Sequence, residues 1–254
     1  MEIKQEKRRN YLKKQIYLTD DEKFELEKLD NLKAQYIKEV NERFVADKTE
    51  RVKPPIITTH YVGYWFKKFW EFQNKKELII NDNNRDIINA LCLYFAKDKR
   101  FEELDFIENP SLDKGIFLAG HVGVGKSSML EAFRMLGDNH YKTFFNSSLL
   151  FRKANCKRIV SDYMDKHSED GKNLSKYYKA SPFYFDDLGT EQEAFNSYNV
   201  MQAILEERYD NKVKTFITSN LGLKAVEEKY GDRVRDRFNE MFNILPISGD
   251  SFRK

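Results

Sequence analysis

The stretch IFLAGHVGVGKSSML, residues 116–130, confines this chain to a small set of folds. An apolar run runs directly into a glycine-rich loop, and the loop opens into a segment with helical apolar spacing. Residues Gly120–Ser127 read G-H-V-G-V-G-K-S and fit G-x-x-x-x-G-K-[ST], the pattern of a loop that wraps phosphates. Such a loop needs bare backbone. Gly120, Gly123 and Gly125 let amide groups converge on an anion with no Cβ in the way. The helix expected over roughly 126–136 adds its positive N-terminal end. Lys126 is placed to reach the β- and γ-phosphates of a nucleotide, and the Ser127 hydroxyl to ligate Mg²⁺. The whole loop, with His121, Val122 and Val124 between the glycines and Ser128 after Ser127, is the candidate nucleotide cradle.

The order of the remaining elements follows from periodicity. Residues 1 to about 48 are densely charged and free of Gly and Pro, and Leu26, Leu29, Leu32, Tyr36 and Val40 recur at helical spacing, so one or two exposed helices are expected. Pro54 and Pro55 mark a linker. In YVGYWFKKFWEF, residues 61–72, Val62, Trp65, Phe66 and Phe69 fit one helical face. A core-packing helix and a base-stacking surface are both compatible with it. A helix after Asn84 follows. Then strands and helices alternate: strand 116–119, a strand near Thr143–Asn146, a long helical region 148–179, strand 183–186, a helix near 197–209, strand 214–218, helix 223–230 and a last helix at about 233–242. This alternation predicts an α/β fold with a parallel sheet flanked by helices, and a ligand at the carboxyl ends of the strands.

Three further stretches carry chemistry. In SPFYFDDLGTE, residues 181–191, two aspartates end an apolar strand. Asp186 would sit beside the glycine loop and hold Mg²⁺ through water, and Asp187 would face the γ-phosphate and polarise an attacking water. A solvated turn would use the same residues. In KTFITSNL, residues 214–221, Asn220 is placed to hydrogen-bond the γ-phosphate or its water; a helix-capping turn is the plainer reading. In KYGDRVRDRFNEMF, residues 229–242, Arg233 and Arg237 are i,i+4 and share a helical face suited to phosphate, although Asp232, Asp236 and Glu240 lie close by. A fourth stretch, FRKANCKR (151–158), offers Arg152, Lys153, Lys157 and Arg158 without an acid and reads as a basic helix that could touch DNA.

Composition narrows the classes. The chain has 254 residues and a net charge of +3, so bulk charge does not mark a nucleic-acid binder. Its two cysteines, Cys92 and Cys156, form no metal or disulfide framework, and its four histidines are scattered, so no zinc site is expected. No leader-like or membrane-spanning run is present, and a cytoplasmic protein is expected.

The glycine loop, FYFDDLGTE, EERYDNKVKTFITSNL, YGDRVRDRF and the terminal ISGDSFR, in this order, resemble the DnaC/DnaI/IstB family of AAA+ ATPases over roughly Leu91–Arg253. The resemblance implies an AAA+ P-loop NTPase domain over residues 54–254, without a large C-terminal lid, and an N-terminal helical partner-binding extension over residues 1–53. It implies Mg²⁺-dependent ATP hydrolysis, with Lys126 and Ser127 in Walker A, Asp186 and Asp187 in Walker B, and Asn220 as sensor 1. Arg237 is implied as an arginine finger acting on the ATP of a neighbouring subunit, Arg233 as its companion, and Arg253 as the sensor-2 arginine. Asp187 departs from the broader AAA+ pattern, in which the second acid is usually Glu. The function implied is loading of a replicative DNA helicase onto single-stranded DNA. The N-terminal region would hold the helicase, the subunits would associate through the ATPase interface, ATP binding would drive assembly and hydrolysis would drive release. An IstB-like role as an ATPase helper of DNA transposition is the alternative.

Overall fold

The structure is a computed structural model that describes residues 3–13, 19–49, 53–165, 174–179 and 182–249, with side chains of 39–49 left aside. The chain divides into two compact units, Met1–Lys53 and Pro54–Lys254.

The first unit is a helix pair, α1 (Ile3–Leu12) and α2 (Asp20–Thr49). Its described apolar seam is small: Leu12 and Leu29 are buried. Ion pairs flank it, Arg8 with Glu25, Arg9 and Lys13 with Asp30, and Lys33 with Glu6. Solvent-facing pairs of this kind contribute little each, and among the described residues the apolar burial of this unit is small.

The second unit is built on a five-stranded sheet of order β2-β3-β4-β1-β5. The strands are β1 (Gly115–Gly120), β2 (Arg152–Asn155), β3 (Phe183–Leu188), β4 (Thr215–Ser219) and β5 (Phe242–Ile247), and every pairing is parallel. Period-two alternation splits the strand side chains between two cores. Ile116, Leu118, Tyr184 and Phe216 face a cluster with α3 (Thr59–Asn74), α4 (Arg85–Phe95) and α5 (Lys126–Phe144). Phe117, Phe183, Phe185 and Ile217 face the opposite cluster, built with α6 (Cys156–Met164), α7 (Ser175–Tyr178), α8 (Val200–Asp210), α9 (Leu223–Tyr230) and α10 (Asp232–Met241). In the first cluster Phe66, Phe133, Phe95 and Phe151 stack in sequence, with neighbouring centroids 4.6, 4.4 and 5.7 Å apart. The aromatic helix α3 is therefore chiefly a core element: Val62, Phe66 and Trp70 are buried.

Three sequence expectations are corrected. No strand forms near Thr143–Asn146. The buried face of α5 continues through Leu136, Gly137 and His140, so the helix runs on to Phe144 and stops where Phe145 turns left-handed at φ 54°. The second strand is instead Arg152–Asn155, followed at once by α6, so FRKANCKR is not one basic helix. A fifth strand, β5, follows α10 directly. It is an edge strand paired with β1 alone, a position where Pro246 costs no ladder bond on its open side. No described helix is long and apolar enough to cross a membrane.

Candidate functional site

The glycine loop joins the end of β1 to the start of α5, and its glycines have different reasons. A Cβ on Gly120 would lie 2.1 Å from the Ile247 carbonyl oxygen, so this glycine lets β5 approach β1 and is not reserved for an anion. Gly123 and Gly125 hold φ of 93° and 89°, a left-handed conformation that other residues adopt at a cost. Val124 is buried and roots the loop, whereas His121 and Val122 are exposed. Gly125 caps α5 without a side chain, which leaves the first-turn N–H groups of the helix facing the loop. The Lys126 ammonium is buried and donates to the carbonyls of Gly120 (2.7 Å) and His121 (2.8 Å), so it braces the loop from inside.

Asp186 and Asp187 are adjacent on β3 and would point to opposite faces of a regular strand. A bulge between Phe185 and Leu188 breaks that rule. Asp187 adopts φ 58° and is exposed, while Asp186 stays buried. Thr218 on β4 locks the arrangement. Its hydroxyl donates to Asp186 Oδ1 at 2.7 Å and accepts from the Asp187 N–H at 3.0 Å. Tyr184 also donates to Asp186 Oδ1, and Lys153 Nζ lies 3.0 Å from Oδ2. Burial pushes the Asp186 carboxyl up. The Tyr184 hydroxyl, the Lys153 ammonium and the hydroxyls of Ser127 and Thr218 outweigh it and hold the carboxyl below the usual carboxylate range.

A cleft of about 830 Å³ brings the glycine loop and Asp187 together, while the buried Asp186 stands behind its lining. Gly123, Gly125, Lys126, Ser127 and Ser128 line one wall, Asp187, Thr190 and Asn220 a second, and Trp70 and Ile79 an apolar third. Its size and mixed lining suit a nucleotide-sized ligand. Ser128 is tied outward, its hydroxyl donating to Asn74 Oδ1 at 3.2 Å. Ser219 anchors the turn before Asn220 by donating to the Leu188 carbonyl at 2.7 Å.

The two arginines do not form the expected side-by-side pair. Arg233 is exposed, whereas Arg237 turns to α8, with its guanidinium 4.3 Å over the Tyr209 ring and 3.5 Å from Asp210. Neither lines the cleft. Arg253 lies outside the described residues. The basic stretch is also dispersed. Lys153 turns in to Asp186 and Glu131, Lys157 lines the cleft, and Arg158 pairs with Asp162 at 3.7 Å while 82% of its side chain stays exposed. Glu191 is a structural residue. It is buried, accepts from the Gly189 N–H at 2.8 Å and from the Tyr230 hydroxyl, and so ties the loop after β3 to α9.

Sequence reasoning misses Tyr184 and Thr218, because a strand of apolar appearance hides which hydroxyls point at a carboxylate, and it groups Lys153 with its basic neighbours instead of with Asp186. It also misses an aromatic patch. Phe195 and Asn196 have φ of 53° and 59° in a tight turn closed by an Ala194–Tyr198 bridge. Phe195 is 62% exposed there and lies 6.2 Å from Tyr163, which lies 5.6 Å from Tyr198.

The parallel sheet, glycine loop and strand-end aspartates define an α/β P-loop NTPase fold. No family model matches the chain. The crystal structure of the DnaC helicase loader is similar at a TM-score of 0.51 and 20% identity, over 72% of this chain and 99% of that one. The crystal structure of DnaI matches at 0.46 and 25% identity, over 67% of this chain and 88% of that one. The AMPPCP-bound DnaA of Aquifex aeolicus matches at 0.44 and 18% identity, over 68% of this chain and 49% of that one. The likeness to the DnaC helicase loader is a likeness of fold. Among curated proteins, the 2,3-bisphosphoglycerate-independent phosphoglycerate mutase of Staphylococcus saprophyticus subsp. saprophyticus is 28% identical over 160 residues, 58% of this chain. The chain spans about a third of that relative's length, 31%, and the mutase activity is not carried over from it.

Proposed function

We propose that this protein binds and hydrolyses ATP with Mg²⁺ and uses that cycle to load a replicative DNA helicase onto single-stranded DNA. The observation that carries the ATPase reading is the β3 bulge, which turns Asp187 into the same cleft as Lys126, Ser127 and Asn220. The donor set fits Mg²⁺: the Ser127 hydroxyl helps to hold the Asp186 carboxyl below the usual carboxylate range, and both are hard oxygen donors. Bound Mg²⁺ would neutralise charge on the β- and γ-phosphates. In this reading the loop amides and Lys126 orient the phosphates, Asp187 accepts the proton of the attacking water and Asn220 positions that water. The N-terminal helix pair grips the helicase, and the subunits associate through the ATPase unit. The similarity of fold to a helicase loader supports the role. Phosphate release stimulated by single-stranded DNA, with capture of the native replicative helicase, tests it. Capture of a transposase instead would move the protein to the IstB-like role.

Lys126→Ala is expected to weaken ATP binding more than about a hundredfold. A charged donor contributes about 1.5–3 kcal/mol per hydrogen bond, and Lys126 is placed to serve two phosphates. Calorimetric titration with ATP checks this, with the thermal midpoint as a control because the ammonium also braces the loop. Unaltered affinity in a folded variant would remove the P-loop assignment.

For the DNA, the exposed Phe195 patch supplies a stacking platform and Arg152 and Arg158 supply charge. Phe195→Ala is expected to weaken binding of an oligothymidylate by about 1–3 kcal/mol if one base stacks on it. Reversing Arg152 and Arg158 to Glu should lower the slope of log K against log salt by about 0.7 per lost phosphate contact. Fluorescence anisotropy over a salt series measures both, and a flat response to all three changes would place the strand elsewhere.

A further inference from the structure

Lys153 lies on the edge strand β2, in register with Tyr184 of β3. Sequence alone groups it with its basic neighbours, but the structure separates it from them. Its Nζ sits 3.0 Å from Asp186 Oδ2, 3.1 Å from Glu131 Oε2 and 5.3 Å from the centre of the Tyr184 ring. Glu131 belongs to α5, the helix that opens at Lys126, so the ammonium ties the P-loop helix to the carboxylate at the end of β3. The other oxygen of Asp186 is occupied as well, since Oδ1 accepts from both Tyr184 and Thr218. The metal-binding carboxylate thus already has a full set of partners, one of them a cation.

We propose that Lys153 is a positioning residue that sets the cation affinity of this site: its ammonium serves as the resident counter-ion of Asp186 and Glu131, and the divalent ion that arrives with nucleotide competes with it for the same carboxylate. The proposal rests on the reading of the cleft as a Mg²⁺–nucleotide site. The physical reason is Coulombic. Glu131 is also held by Arg134, whose Nη2 lies 2.7 Å from its Oε1, whereas among the described residues Lys153 is the cation paired with Asp186. An incoming divalent ion therefore meets an Asp186 carboxylate that is already compensated, and the ammonium repels that ion at short range in a partly dry site. Removing the ammonium leaves the Asp186 carboxylate to the metal, while Glu131 stays paired with Arg134. The metal-free protein then loses its compensation for buried negative charge. Lys153 thereby makes divalent binding conditional on the nucleotide, because the phosphates must supply the charge that the carboxylates have already spent on the lysine.

The test uses Mn²⁺ as the probe, read by electron paramagnetic resonance in the presence of saturating non-hydrolysable ATP analogue. Analogue affinity in EDTA is measured in parallel. Lys153→Met is expected to bind Mn²⁺ at least about tenfold more tightly than the native protein. It should bind the analogue in EDTA with little change, and it should show a lower thermal midpoint that Mn²⁺ restores. Lys153→Arg, which keeps the charge, should bind Mn²⁺ like the native protein. Should Lys153→Met fail to fold, the same comparison is made with Lys153→Met added to Glu131→Gln, which removes the cation and its second anchor together. That double variant should bind Mn²⁺ more tightly than Glu131→Gln alone. Equal or weaker Mn²⁺ binding on loss of the ammonium, with the analogue still bound, overturns the proposal and leaves the nucleotide site standing. Failure of the native protein to bind the analogue at all overturns both.

Discussion

Asp187→Asn should bind ATP as the native protein does and hydrolyse it about 10²–10⁴-fold more slowly, the range that loss of a general base commonly produces. The structure makes this substitution unusually clean. Asp187 holds φ 58°, where most side chains are strained and Asn is among the few tolerated. Its N–H donates to Thr218, a bond that a side-chain change leaves in place. The amide therefore keeps the bulge, the cleft and the buried Asp186, and removes the negative charge and with it the ability to accept a proton. Asp187→Ala would mix that loss with backbone strain. Steady-state phosphate release gives the rate, and titration with a non-hydrolysable analogue shows that binding is intact. Turnover at the native rate would falsify the assignment of Asp187 as the base. Glu191 offers no ready substitute, since its carboxylate is buried and already accepts from Gly189 and Tyr230.

The bulge also bears on the shorter second acid. In a regular strand, one of two consecutive aspartates would face away from the nucleotide, whatever its length. Because β3 inserts an irregularity after Phe185, both carboxylates stand at the carboxyl end of the sheet in different surroundings. Asp186 is immobilised by hydroxyls and an ammonium, and Asp187 faces the cleft.

What could be read from sequence was what repeats locally. β1, β3 and β4 are apolar runs bounded by turn residues, and the helix after Asn84 has an apolar face nearly all the way round, so both kinds of element were legible. β2 is Arg-Lys-Ala-Asn, a polar edge strand with no periodic signal, whereas the end of α5 carries a strand-like run. β5 follows Met241 with no glycine or proline between helix and strand, so nothing local marks the change. The site shows the same division. The glycine loop and the two aspartates are contiguous and were visible. The Tyr184, Thr218 and Lys153 contacts to Asp186 depend on register between β2, β3 and β4, which one strand cannot reveal. The pose of Arg237 has a related cause: i,i+4 spacing places Arg233 and Arg237 on one face, but the Tyr209 ring on another helix takes only the second guanidinium.

That capture bears on the expected result for Arg237. The arginine-finger role requires Arg237 to leave Tyr209 and Asp210 and reach the ATP of a neighbouring subunit. The pair with Asp210 joins a largely exposed carboxylate and contributes about 0–1 kcal/mol, and the stacking on Tyr209 about 0.5–1 kcal/mol. Nη1 is buried and, among the described residues, has no hydrogen-bond partner, so the present pose leaves donor capacity unused. A guanidinium delivered to the transferring phosphoryl group raises turnover by about 10³-fold or more, equivalent to about 4 kcal/mol, which exceeds the cost of leaving. Arg237→Ala is therefore expected to bind ATP and lose turnover by about that factor. Whether the finger acts between subunits is read by mixing it with Lys126→Ala. The first variant binds ATP and lacks the finger; the second keeps the finger and cannot bind ATP. In a head-to-tail assembly of equal parts, roughly one interface in four joins an intact ATP site to an intact finger. Phosphate release should then recover to a comparable fraction of the native rate, far above either variant alone. Co-assembly shown by sedimentation without any recovery would make Arg237 a residue that acts within its own chain, through Tyr209 and α8.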